Sequence, residues 1–375
     1  MGICISIASS EIHDQAEDQH HFHENVLYLT ETIPSFGTHT HGSLYSKQGT
    51  KGLNQDAAIL YQEYGIKGGA FCGVFDGHGK NGHIVSNMVR NRLPSLLVSQ
   101  KYGVAKLEPT PESDNGRRSR KDLAKWKQAC VSAFKVMDKE IKLQHNLDCS
   151  TSGTTAVVVV RQLIIVSFPK GEDLVIANLG DSRAMLGTMT EKGIKAVQLT
   201  TDLKPGLPSK TPISTIILTH YIKAIFTISF SIAGEAERIR NCKGRVLALK
   251  EEPHIPRVWL PHEDSPGLAM SRAFGDFLLK DHGLIAVPDV FYHRLSPNDH
   301  FIVLATDGVW DVLNNDQVAS IVMEAESEQE AARTVVEAAT ASWKRKFPSS
   351  KVDDCTVVCL FLQDKQHPSS LAPET

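Results

Sequence analysis

The amino-acid sequence predicts an α+β fold built on antiparallel sheet, and two observations carry that prediction. In the middle of the chain, β-branched runs follow one another through short turns with no helix between them, which argues against βαβ units. Amphipathic helices come in pairs before and after those runs. The chain has 375 residues, 41% of them hydrophobic, and a net charge of -3. It can bury a substantial core and lacks the basic footprint of a nucleic-acid binder. Seven cysteines with no C-x-x-C pair indicate free thiols in a reducing, cytoplasmic compartment. Cys355 and Cys359 read as core filler within an apolar strand.

The N-terminus Met1-Gly2-Ile3-Cys4-Ile5-Ser6 fits the M-G-x-x-x-[ST] pattern for myristoylation of Gly2, and Cys4 beside it offers a palmitoylation site. One acyl chain holds a membrane only marginally, whereas two anchor stably, so peripheral contact with the plasma membrane is expected through this pair. Residues 1–45 read as a flexible leader, polar and histidine-rich (His13, His20, His21, His23, His39, His41), more a solvated tail than an ordered metal site.

From residue 46 the elements become legible. Ala57–Tyr61 and Ala70–Phe75 read as core strands. Residues 80–100 read as a helix with Ile84, Met88, Leu93 and Leu97 on its apolar face, and residues 104–120, broken by Pro109, Pro111 and Gly116, as a loop. Lys121–His145 is the clearest helix, with Leu123, Trp126, Cys130, Phe134, Met137 and Ile141 at three- and four-residue steps. Strands follow at Thr154–Val160, Leu163–Phe168, Leu174–Asn178 and Ala184–Leu186, and later at Phe301–Thr306 and Cys355–Leu362. Asn314 with Gln317, and Ser327 with Glu330, read as capping boxes opening two helices.

Carboxylates recur where strands end: Asp56, Asp76, Asp181, Asp307 and Asp353. One Asp-Gly turn is ordinary hairpin chemistry. A set of them in one β-rich domain points to an all-oxygen site for a hard cation such as magnesium or manganese. His78, two residues beyond Asp76, suits ligation or general acid–base work.

The segments Lys51–Asp56, Phe75-Asp76-Gly77-His78-Gly79, Ser152–Thr155, Gly180-Asp181-Ser182-Arg183, Leu268–Asp276, Thr306–Asp311 and Asp353–Thr356 together resemble the type 2C (PPM family) metal-dependent Ser/Thr protein phosphatases of the plant kind. The resemblance spans roughly residues 48–364 and places a catalytic domain at 46–364, with a C-terminal tail at 365–375. It implies two stacked antiparallel β-sheets flanked by pairs of antiparallel helices, an αββα sandwich. It implies that Asp76 bridges two cations with the Gly77 carbonyl on one, that Asp307 and Asp353 hold the second, and that Asp181 serves a looser third. Asp56 would orient the attacking water, and His78 would protonate the leaving serine or threonine oxygen. Asp276 and Asp311 would be local structural acids or acids that support the site's own residues from behind. The expected partners are proteins phosphorylated on Ser/Thr, together with kinases, and a monomer is expected.

Two departures stand out. Lys51 occupies the place where many animal members carry a phosphate-gripping arginine, and Gln55 replaces a glutamate. A lysine offers a point charge rather than a bidentate fork. Residues 210–234, rich in Ile, Thr, Ser and Phe, interrupt the family pattern between Ser209 and Glu235. His220 and Lys223 near their middle argue against a membrane span. The stretch reads as retained intron sequence, with a splice variant as the alternative. Two functions stay open: an active phosphatase, or a catalytically weak relative, disabled by the insert, that binds phosphoproteins or kinases.

Overall fold

The computed structural model describes residues 25–30, 41–66, 68–107, 115–164, 171–206 and 234–363. Strands β1 (Val26–Thr30), β2 (Gly42–Lys47), β3 (Asp56–Gln62) and β4 (Ala70–His78) lead into helices α1 (Gly82–Leu107) and α2 (Asn115–Lys142). Next come β5 (Gly153–Thr154), β6 (Ala156–Ile164), β7 (Gly171–Leu179), β8 (Arg183–Thr190) and β9 (Gly193–Gln198). Helix α3 (Glu235–Asn241), β10 (Arg245–Ala248), β11 (Pro256–Trp259), β12 (Phe274–Gly275) and α4 (Phe277–Lys280) follow; α3, β11 and α4 share a small core of their own, whereas β12 pairs with β5. The chain continues through β13 (Asp289–Arg294), β14 (Asp299–Ala305), α5 (Asp307–Trp310), α6 (Asn315–Glu324), α7 (Ala331–Lys346) and β15 (Cys355–Phe361).

One sheet runs β1-β3-β4-β6-β7-β13 and the other β2-β15-β14-β8-β9. The alternation of side chains along each strand explains how they stack. In β4, Phe71 and Phe75 pack against α1 and α2, while Cys72 and Val74 face the opposite sheet. In β14, Phe301 and Val303 pack against α5 to α7, while Ile302 and Leu304 face inward. Both faces of these strands are buried, which is why they read as continuous apolar runs. Helix, sheet, sheet and helix layers result, the expected αββα sandwich.

Several local expectations shift. Val26–Thr30, inside the stretch read as leader, is a strand paired in parallel with β3, and Leu27 and Leu29 pack on the core. The acylation motif, most of the histidine tract and the C-terminal tail lie outside the described residues. In α1 the buried phase is Val85, Val89, Leu93 and Leu97, and Ile84 is exposed. Both helices reach further into the segment read as a loop, α1 to Leu107 and α2 from Asn115. The Asn314 box forms in full, with Gln317 N donating to Asn314 Oδ1 at 2.9 Å and Asn314 N to Gln317 Oε1 at 3.0 Å. The Ser327 box does not: Ser327 Oγ accepts from Glu330 N, but Glu330 itself is the residue before α7.

Nearly all of the 210–234 stretch lies outside the described residues, but its flanks are informative. Ser271 N donates to Leu203 O at 2.8 Å, and the Ser271 hydroxyl lies 2.8 Å from that oxygen and 2.5 Å from Glu235 Oε2. The two sides of the insertion are therefore fastened to one serine. Gly234 belongs with the fold, because its carbonyl accepts from Arg238 N at the start of α3. A chain lacking residues 210–233 is expected to fold around the same anchor. Its shorter connection costs about 1 kcal/mol less to close, and it loses an apolar, β-prone segment that favours aggregation. Soluble yield, thermal midpoint and turnover of the two chains check this. A full chain that matches the deletion on all three would make the insertion part of the fold.

Candidate active site

The strand ends that carry the acids fall at one end of the sandwich. β3 begins where its antiparallel partner β4 finishes, so Asp56 stands directly across from Asp76. β14 finishes and β15 begins at the same end, placing Asp307 and Asp353 beside them, and Asp181 follows β7. Gly77 is needed for close approach: a Cβ there would lie 2.5 Å from both Gln55 O and Gly82 O.

Like charges directly opposite one another are destabilising, and the acids respond accordingly. Burial, then the charges of Asp307, Asp56, Asp353 and Asp181, push Asp76 well above the usual carboxylate range. Burial, then Asp181, Asp353 and Asp311, do the same to Asp307. Asp56 is raised by burial and Asp354, against hydrogen bonds from Thr356 and Thr306. Asp181 is pushed up to about 6 by burial, with Lys204 opposing and Asp202 and Asp311 adding.

The donor set fits hard divalent cations. It is all oxygen, its members repel one another, and the buried Asp181 Oδ1 has no hydrogen-bond partner. The ligands are not gathered into a finished cage: among the described residues no three His, Cys, Asp or Glu side chains lie close enough to hold an ion. Protein partners engage two of them instead. Lys51 Nζ is ion-paired with Asp353 Oδ2, and Thr306 Oγ1 donates to Asp56 Oδ2 at 2.9 Å.

Residues that local pattern did not single out build the walls. Asp354 accepts from Gly49 N and Gln55 N, both at 2.8 Å, and so shapes the loop that carries Lys51. Gln55 Nε2 donates to Gly79 O at 2.7 Å, tying that loop to the Asp76–Gly79 turn. Thr306, at the end of one sheet, reaches Asp56 on the other. The sequence signals for Asp354 are its position next to Asp353 and its place in the family-like segment Asp353–Thr356. His78 Nε2 lies 2.6 Å from Asp276 Oδ2. Burial pulls the imidazole down, but the charge and hydrogen bond of Asp276 more than offset it, and its pKa is raised. Asp276 thus sits behind His78, which agrees with its reading as an acid that supports the site's residues.

The sequence model of the protein phosphatase 2C family matches residues 40–209 and 231–345. The probable protein phosphatase 2C 72 of Arabidopsis thaliana is 51% identical, over 98% of this chain and 100% of its own length. The probable protein phosphatase 2C 12 of Oryza sativa subsp. japonica is 43% identical, over 97% of this chain and 92% of its own. Among solved structures, a serine-threonine phosphatase 2C from Toxoplasma gondii superposes with a TM-score of 0.67 at 25% identity, covering 85% of this chain and 94% of that one. Fold and likeness together define a serine/threonine protein phosphatase. The chain belongs to the protein phosphatase 2C family. No helix among its described residues is long and apolar enough to cross a membrane.

Proposed function

We propose that the chain hydrolyses phosphoserine and phosphothreonine in proteins by direct attack of water, without a covalent intermediate, and depends on magnesium or manganese for it. The carboxylate group at the sandwich end carries this reading, above all Asp56 set across from Asp76. Asp76, the Gly77 carbonyl, Asp307 and Asp353 would hold two cations, and Asp181 a looser third. When bound, such cations neutralise phosphoryl oxygens and make water a competent nucleophile near neutral pH.

The protein's own groups supply the rest. Lys51, on a loop held by Asp354, exchanges its ion pair with Asp353 for the substrate phosphate, as a point charge rather than a fork. Asp56, held by Thr306, orients the attacking water as a hydrogen-bond acceptor. His78 donates the proton that the departing serine or threonine oxygen needs. Buried Cys72 and Cys355, whose thiols burial pushes up, take no part as nucleophiles. The partners are phosphorylated proteins and kinases, and Gly2 and Cys4 supply peripheral membrane contact.

Phosphate release from a phosphothreonine peptide tests this, with manganese, with a chelator, and with Asp307→Asn and Asp353→Asn. Chelation should abolish turnover. Each variant should slow it and raise the manganese concentration required, because an anionic ligand is lost at nearly constant volume. Metal-independent release would refute the mechanism, and no release at all would favour the binding module.

A further inference from the structure

The geometry points to Asp276 as the positioning residue of the general acid: it fixes the His78 ring through Nε2 and leaves Nδ1 as the atom that serves the leaving oxygen. This rests on the assignment of His78 as that acid, made above. Nε2 is committed to Asp276 Oδ2 at 2.6 Å, whereas Nδ1 is buried with no protein partner.

The surrounding backbone is arranged around that one contact. β5 lies between β4 and β12, so that Gly153 stands opposite both His78 and Gly275. A Cβ on Gly153 would meet Asp276 Oδ2 at 2.3 Å and His78 Nε2 at 2.9 Å. The glycine therefore opens the space through which the two side chains touch. Asp276 itself adopts a left-handed backbone, φ 50 and ψ 47, a conformation costly for a residue with a Cβ. Its carboxylate makes no cap bond to α4 that would account for that cost. The conformation is held from outside. Asp276 N donates to Ser152 O at 3.0 Å, and Gly275 N donates to Asp138 Oδ1 at 3.0 Å. Lys280 Nζ bridges Asp138 Oδ1 and Ala273 O at 3.1 and 2.6 Å.

In the reaction, the water oxygen forms its bond to phosphorus as the bond to the serine or threonine oxygen breaks, and the water's two protons leave with the product as dihydrogen phosphate, which can return one to the ring. The electron pair of the broken bond stays on the departing oxygen, which takes the proton from Nδ1 of the imidazolium. The ring is left neutral, with Nε2–H still donating to Asp276. Without the carboxylate the ring loses its fixed orientation, and the proton no longer sits where the leaving oxygen departs.

The test compares a phosphothreonine peptide, whose alkoxide leaves poorly, with p-nitrophenyl phosphate, whose phenolate leaves without help. His78→Asn should lower kcat on the peptide about 100-fold and barely change it on the aryl ester. Asp276→Asn should lower peptide kcat at least about tenfold, hold KM, and spare the aryl ester. In the His78→Asn background it should add nothing, since it acts through His78. Asp276→Gly, which relaxes the left-handed backbone, should give the same kinetic pattern without a lower thermal midpoint than Asp276→Asn. Equal losses on both substrates from an Asp276 variant, or an additive loss in the double variant, would overturn the role of Asp276 and leave His78 in place. Equal losses from His78→Asn alone would instead remove the general-acid assignment itself.

Discussion

Asp76→Asn is expected to lower manganese-dependent turnover of a phosphothreonine peptide by about 1,000-fold, and to stabilise the chain when metal is withheld. The first effect follows from removing the acid shared by the proposed cation pair. Losing about 4 kcal/mol of charge stabilisation in the transition state corresponds to three powers of ten. The second follows from the repulsion already described. Asp76 faces the charges of Asp307, Asp56, Asp353 and Asp181, with Asp56 directly across the strand pair. Taking one charge out of that group, at almost unchanged volume, should raise metal-free stability by about 1 kcal/mol. Added manganese should reverse the order, because a ligand that binds only the folded state stabilises it by mass action. Urea midpoints with chelator and with manganese read both signs. An Asp76→Asn chain less stable than wild type in chelator would show that the acid cluster is not under the repulsion assigned to it.

The strands and the acids at their ends were legible because both are local. Short continuous apolar runs mark β3, β4, β6, β14 and β15, and three- and four-residue steps mark α2, whose expected apolar residues from Leu123 to Ile141 are all buried. What local pattern could not supply is phase and reach. The α1 helix offers two overlapping apolar registers, and packing against Phe71 and Phe75 selects the one through Val85 and Val89 over Ile84. β1 is a short apolar run inside a polar, histidine-rich stretch, and its pairing with β3 shows it to be a strand. Thr306 serves Asp56 and Asp354 serves Gly49 across nearly the whole catalytic domain. Such partners are set by how the two sheets stack, which no window of sequence contains. Asp276 was visible as an acid, but its contact with His78 depends on β5 lying between them.

The largest stability effect is expected at Glu235, the residue that resumes the fold after the insertion. Its carboxylate is buried and takes bonds from Arg238 Nη1 and Nη2 at 2.9 and 2.7 Å, from Arg272 Nε and Nη2 at 3.1 and 2.8 Å, and contacts the Ser271 hydroxyl. Burial alone would push this carboxyl up, but the two guanidinium groups overcome it and hold it at about 2. Glu235→Ala leaves Arg272, itself almost fully buried, with Asp289 and Val287 O as its remaining partners. Breaking a buried pair from one side costs about 3 kcal/mol. Glu235→Gln, which keeps the shape, should lose less. The pH dependence gives an independent reading. A carboxyl depressed in the folded state contributes stability above its ordinary value of 4.5, and that contribution is lost as pH falls toward 2. Asp76, Asp307, Asp56 and Asp181 are raised instead, so the metal-free chain should gain stability as pH falls from neutral and they protonate, Asp181 at about 6. Metal-free wild type should therefore be most stable near pH ~5 and decline below it. Glu235→Ala should lower the whole curve and flatten only its acid limb. A variant with an unchanged denaturation midpoint, or with the wild-type decline below pH ~4.5, would show that Glu235 does not anchor the chain where the insertion ends.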